Sequence, residues 1–173
     1  MAEDYVEVEL REIHLTEEPL RPQVIILGEK EGRRRLPIYI GINEALALES
    51  AARGERMKRP MTHDLILNVI RGLSAELVRV LVVKLEEDTY YGALELRTAD
   101  GSLVQIDARP SDSIVLATKC QAPIFVAEKV FQEAAEIEIG DGEEGAFDED
   151  EDSDLGFNED EGPEDPDFPD EDR

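Results

Sequence analysis

The chain has 173 residues, long enough for one ordinary domain and too short for two of average size. Its formal charge of −25 is unevenly spread. Residues 136–173 carry 20 acids against one base, Arg173, a local charge of −19, while residues 1–135 carry 23 acids and 17 bases, a charge of −6. Cys120 is the only cysteine, which excludes an intrachain disulfide and a cysteine-rich zinc site.

These counts divide the chain into a domain over 1–135 and an acidic tail over 136–173. A block of like charge with few large apolar residues cannot bury enough surface to offset the entropy of ordering, so the tail is expected to be disordered. Pro163, Pro166 and Pro169 also oppose helix there. The tail reads either as a solubilising extension or as an interaction segment for a basic partner, with Phe147, Phe157 and Phe168 between its acids. The N-terminus lacks a basic stretch followed by an apolar run, and no segment is apolar enough for a membrane helix. Together with the single cysteine, this leads us to expect a soluble, cytoplasmic protein without a membrane partner.

In chain order, Val6, Val8 and Leu10 alternate with polar residues, and Ile13 and Leu15 resume in the opposite phase, as a strand with a bulge near Arg11 would. A turn at 18–22 precedes a buried strand, 24–27, ending at Gly28. Arg34–Gly41 reads as a third strand, with Pro37 tolerated if its missing N–H faces away from a partner. An edge of this meander offers a place for a second copy, so a homo-oligomer is expected.

Asn43 is the expected N-cap of a short alanine-rich helix, and Gly54 occupies the position of a left-handed C-cap. Thr62 is the expected N-cap of a second helix ending at Gly72. Three hairpin-linked strands follow: the run around 78–82, then 90–96, and after Asp100-Gly101 residues 103–107. Ser111 is the expected cap of a third helix, Ile124–Val126 a short strand, and residues 128–135 a last helix. The sum is an α+β fold: a mixed, mainly antiparallel sheet with flanking helices, plus the tail.

Two stretches gather reactive groups at expected helix starts, where backbone N–H groups favour anions: Arg59-Pro60-Met61-Thr62-His63-Asp64 and Asp107-Ala108-Arg109-Pro110-Ser111-Asp112. Phosphodiester hydrolysis needs an activated water, neutralised phosphoryl oxygens and a protonated leaving group. Asp64, Asp107 and Asp112 are oxygen ligands suited to Mg²⁺ or Mn²⁺. Arg109 suits bidentate contact with phosphate, Arg59 and Ser111 are further substrate contacts, and His63 is an acid or base. The plainer reading makes Asp64 and Asp112 complements to helix dipoles and Arg109 a structural ion pair with Asp64, Asp107 or Glu44. Arg33, Arg34, Arg35, Arg53, Arg56 and Lys58 either track phosphates or balance the acids of the domain. His14, in the first strand, reads as a surface or structural residue.

Five blocks in register carry a resemblance: Leu36-Pro37-Ile38-Tyr39-Ile40-Gly41 with Glu44-Ala45; Arg59-Pro60; Thr62-His63-Asp64-Leu65; Asp107 to Ile114; and Ala122-Pro123-Ile124-Phe125-Val126. Over residues 6–133 the chain resembles the bifunctional nuclease domain family. The resemblance implies an α+β domain, often oligomeric, in a family named for members that cleave DNA and RNA. It carries His63, Asp64, Asp107, Arg109, Ser111 and Asp112 as motif positions. Many relatives continue into a short helical module associated with excision-repair proteins; here the acidic tail stands in its place. The leading expectation is a metal-assisted nuclease with a DNA or RNA substrate. The alternative is a noncatalytic oligomeric binding module whose tail engages a basic partner.

Overall fold

The computed structural model describes residues 4–16 and 21–140, with side chains through 134. The expected disordered tail lies outside the described residues from 141 onward. Seven strands form one sheet: β1 Tyr5–His14, β2 Gln23–Glu29, β3 Arg35–Ile40, β4 Glu76–Glu86, β5 Thr89–Arg97, β6 Leu103–Ala108 and β7 Ile124–Ala127. Four helices accompany them: α1 Ile42–Ala52, α2 Thr62–Gly72, α3 Pro110–Cys120 and α4 Glu128–Gly140. The architecture is α+β, and α4 runs through position 135, where the composition changes.

The strand order is β3-β2-β1-β7-β4-β5-β6. Two antiparallel meanders, β1–β3 and β4–β6, are joined by β7, which pairs antiparallel with β1 and parallel with β4. The sheet is therefore mixed and mainly antiparallel. The change of phase in β1 is a register shift between Leu10 and Glu12, where one extra residue restores the buried face. Pro37 sits on edge strand β3, which pairs only with β2, so its lost donor costs no ladder bond on the open side.

The core lies between one face of the sheet and the helices. Val8, Ile25, Leu27, Leu36, Ile38, Val80, Val82, Leu94, Ile124 and Val126 meet Ala45 and Leu48 of α1, Ile114–Ala117 of α3, and Val130 and Phe131 of α4. Each fully buried aliphatic side chain contributes roughly 1.5–3 kcal/mol, so this contiguous set supplies the main driving force. α3 buries five consecutive residues, Ser113 to Ala117, which fixes its axis against the sheet and hence the direction of its first turn.

The helix starts correct three sequence expectations. Asn43, Thr62 and Ser111 are not N-caps: the caps are Gly41, Met61 and Arg109, all in extended backbone. Thr62 and Ser111 lie inside the first turns instead. Gly54 does adopt the left-handed conformation after α1, with φ of +67°, and donates to the Ala51 carbonyl.

Candidate functional site

The starts of α1, α2 and α3 border one cleft of about 500 Å³, lined among others by Glu44, His63, Asp64, Arg109, Asp112 and Lys119. Local sequence sets each of these positions. Asp64 Oδ2 accepts the Met61 N–H at 3.0 Å, satisfying a donor that the helix leaves open and fixing the first turn of α2. Pro110 at the start of α3 confines Arg109 to extended backbone (φ −65°, ψ 141°), and Ser113 Oγ donates to the Arg109 carbonyl at 3.0 Å. Gly92 of β5 lets this corner approach: a Cβ there would lie 2.9 Å from the Ala108 carbonyl and 3.1 Å from the Pro110 nitrogen.

Two connected charge clusters occupy the cleft. In one, Asp112 takes His63 Nε2 at 3.1 Å on Oδ1 and Arg109 Nε at 2.8 Å on Oδ2, while Arg109 Nη2 reaches Glu44 Oε1 at 2.8 Å. In the other, Lys119 Nζ lies 2.8 Å from Asp64 Oδ1. Burial pushes the Asp112 carboxyl up, but hydrogen bonds and charge from Arg109 and His63 outweigh it and leave it below the usual carboxylate range. Asp64 is likewise lowered, first by Lys119 and then by the Met61 N–H. Asp112 and Glu44 raise the Arg109 guanidinium, so it stays charged. The His63 side chain is only 13% exposed, whereas that of Arg109 is 65% exposed. The arrangement holds an imidazole in one orientation beside a guanidinium open to solvent.

Four of the sequence candidates, His63, Asp64, Arg109 and Asp112, come together here. Asp107 does not: it stands exposed on edge strand β6, opposite Ala93, outside the residues that line the cleft. Ser111 is buried in the first turn of α3, and Arg59 is exposed on the α1–α2 connection; neither lines the cleft. The Asp64–Asp107–Asp112 triad expected to hold Mg²⁺ or Mn²⁺ therefore does not converge. Among the described residues no group of three or more His, Cys, Asp and Glu is placed to hold a metal ion. Asp64 and Asp112 instead neutralise Lys119 and Arg109.

Sequence reasoning placed Glu44 only as a possible anchor for Arg109, a contact the structure contains. It missed Lys119. The signal was there: Asp112 and Lys119 are seven residues apart, two turns along the same face of α3. Of the basic residues, Arg34 pairs with Glu29 and Glu128, Arg35 with Glu12 and Arg53 with Glu49. Among the described residues no ion pair involves Arg33, Arg56, Lys58 or Arg59, and the last three share the α1–α2 connection beside the cleft. His14 is an exposed residue paired with Glu12 at 2.8 Å.

Fold and cleft together define an α+β domain with a histidine–carboxylate–guanidinium cluster at converging helix starts. The chain belongs to the bifunctional nuclease domain family, whose sequence pattern it matches over residues 25–139. An uncharacterized protein of Mycobacterium tuberculosis is 39% identical over 118 residues, 68% of this chain and 70% of that protein. Bifunctional nuclease 1 of Arabidopsis thaliana is 26% identical over 115 residues, 65% of this chain and 35% of that protein. Bifunctional nuclease 1 of Oryza sativa subsp. japonica is 26% identical over 109 residues, 61% of this chain and 33% of that protein. The chain thus spans about a third of the length of these plant relatives. Among the described residues no helix is long and apolar enough to cross a membrane.

Proposed function

We propose that this chain hydrolyses phosphodiester bonds of DNA or RNA in the cleft between α1, α2 and α3. The observation that carries the reading is the bridged set His63–Asp112–Arg109, an oriented imidazole and a solvent-facing guanidinium on one carboxylate. With Nε2–H donated to Asp112, the neutral ring keeps Nδ1 as its basic nitrogen. Nδ1 takes a proton from water, the hydroxide attacks phosphorus, and the P–O bond to the leaving group breaks. The leaving oxygen, on the far side of phosphorus from the attack, takes its proton from water, and the imidazolium releases its own to solvent. Arg109 neutralises charge developing on the phosphoryl oxygens. Arg56, Lys58 and Arg59 hold the flanking backbone phosphates. Mg²⁺ or Mn²⁺ held by Asp64 and Asp112 would have to displace Lys119 and Arg109, so no step is assigned to a metal.

The test is hydrolysis of labelled single-stranded DNA and RNA by the full chain, with Mg²⁺, Mn²⁺ or chelator, beside His63→Ala and Asp112→Asn proteins of unchanged circular dichroism. His63→Ala is expected to slow cleavage by roughly 10²–10⁴-fold, the usual contribution of a general acid–base. Metal dependence would show that the cleft rearranges around a cation. Cleavage no faster than that of the variants under every condition would sink the reading. One observation favours a second reading, a noncatalytic binding module: Glu44–Arg109–Asp112 and Asp64–Lys119 tie α1, α2 and α3 together as matched ion pairs. Intact binding of nucleic acid or of a basic protein without cleavage is its expected signature.

A further inference from the structure

Seven of the twelve large apolar residues exposed among the described residues lie between positions 42 and 73. Three of them, Leu46, Met57 and Met61, line the cleft that holds His63 and Arg109, and they are 49%, 57% and 59% exposed. Leu46 comes from α1, Met57 from the α1–α2 connection and Met61 from the N-cap of α2, so two helices and their connection turn apolar side chains toward one space. None of the lining residues carries an aromatic ring. The connection alternates in character. Met57 lines the cleft, whereas the cations Arg56, Lys58 and Arg59 around it do not, and no ion pair involves them among the described residues.

The charged part of the lining is divided as well. Glu44, Asp64 and Asp112 are each held by a cation, whereas Glu55 borders the same cleft with no ion pair among the described residues. A carboxylate without a cation repels phosphate and accepts hydrogen bonds from the N–H groups on base edges. Arg109, its side chain 65% exposed, does the reverse and draws phosphate. The cleft therefore offers an apolar wall with an acceptor for one part of a ligand and a guanidinium for another.

We propose, resting on the nuclease reading, that the cleft takes one unstacked nucleotide, its base on the wall of Leu46, Met57 and Met61 and its phosphate at Arg109, so that the substrate class is single-stranded nucleic acid. A free phosphate would leave the wall bare, and an acyl chain would leave Glu55 without a donor; a nucleotide answers both. The volume of about 500 Å³ is that of a cleft enclosing one small molecule. In a duplex the faces of each base are covered by its neighbours, so the wall reaches a base only after it has left the stack. Methionine packs against rings through a flexible, polarisable thioether, which makes the wall tolerant of purines and pyrimidines alike. Arg56, Lys58 and Arg59 are then left for the phosphates on either side. The cost of unpairing and unstacking one nucleotide should lower kcat/KM for duplex by roughly 100-fold.

Fluorescence anisotropy of short labelled strands with the full chain tests the pocket apart from cleavage, strand length being checked on a gel afterwards. Two strands carry the same phosphates, one with bases and one abasic throughout. The strand with bases is expected to bind roughly tenfold tighter, the scale of one base contact. Leu46→Ala with Met57→Ala should bring it down to the abasic level and leave binding of the abasic strand unchanged, which also shows that the variant is folded; Met57→Leu should keep the difference. Equal affinity for the two strands overturns the proposal, as does a base dependence that survives the double substitution or a duplex cleaved as fast as the single strand. Cleavage without base dependence would sink the pocket and leave the nuclease reading standing, whereas base-dependent binding without cleavage would support the pocket and sink that reading.

Discussion

Asp112 bonds one cation and one imidazole with its two oxygens, and everything proposed for the cleft passes through it. Asp112→Asn removes the charge that holds Arg109 and is expected to cost about 1 kcal/mol of stability, the scale of a partly exposed ion pair. The acid side is the sharper check. The folded-state values of Asp64, Asp112 and Glu95 all lie below the usual carboxylate range. Their stabilisation is therefore complete above the unfolded values and lost as pH falls through the folded ones, from about pH 4 downward. Urea midpoints measured between pH 7 and 3 should fall steeply for the parent and less steeply for Asp112→Asn. Equal slopes would mean that Asp112 carries no such linkage.

Glu95 provides a contrast at the same scale. Its side chain is 8% exposed, and Arg79 donates to both its oxygens at 2.8 and 3.0 Å while lying over the Tyr5 and Phe125 rings. Arg79→Met strands a buried carboxylate and is expected to cost roughly 3 kcal/mol, whereas Arg79→Met with Glu95→Leu recovers most of that loss. A double-mutant cycle by chemical denaturation decides it; additive losses would mean that the two side chains act independently. From sequence, Glu44 was one of three partners offered for Arg109 and Lys119 was not connected to the cleft at all, because a charged residue reveals its partner only when the fold brings the two together.

At the scale of elements, the sequence located every helix and strand of the described residues but misplaced three of the four helix starts by one or two residues. Thr62 and Ser111 look like caps because small polar residues also favour the first turn. The actual caps are decided by Asp64 reaching back to Met61 and by Pro110 constraining Arg109. Gly92 is the corresponding feature of the sheet. All three nearest neighbours of an added Cβ are backbone atoms, of Ala108, Pro110 and Leu81, so side-chain movement cannot relieve the clash. Gly92→Ala is expected to destabilise the domain by roughly 1–3 kcal/mol through backbone displacement. The same displacement falls on the strand-to-helix corner that aims Arg109, so cleavage should weaken beyond the stability loss. A variant with parental melting temperature and cleavage would show that the corner tolerates the extra carbon.

For the whole molecule, a net charge of −25 opposes a polyanion, so the proposed function requires local cations to hold the nucleic acid. Replacing Arg56, Lys58 and Arg59 together by Ala should weaken binding of single-stranded nucleic acid. It should also flatten the slope of log affinity against log salt by about 2, near 0.7 per cation lost. An unchanged slope would place the phosphates elsewhere. The sequence by itself determined the α+β class, the alternation that builds two meanders and the pairing of two polar stretches, because strand periodicity, turn residues and local propensity are properties of neighbouring residues. It could not decide that β7 would lie between the meanders, that Asp107 would stand apart from Asp64 and Asp112, or that Leu46, Met57 and Met61 would line one cleft with Arg109. Those depend on contacts between residues distant in the chain, and only the packed fold brings such residues into contact or keeps them apart.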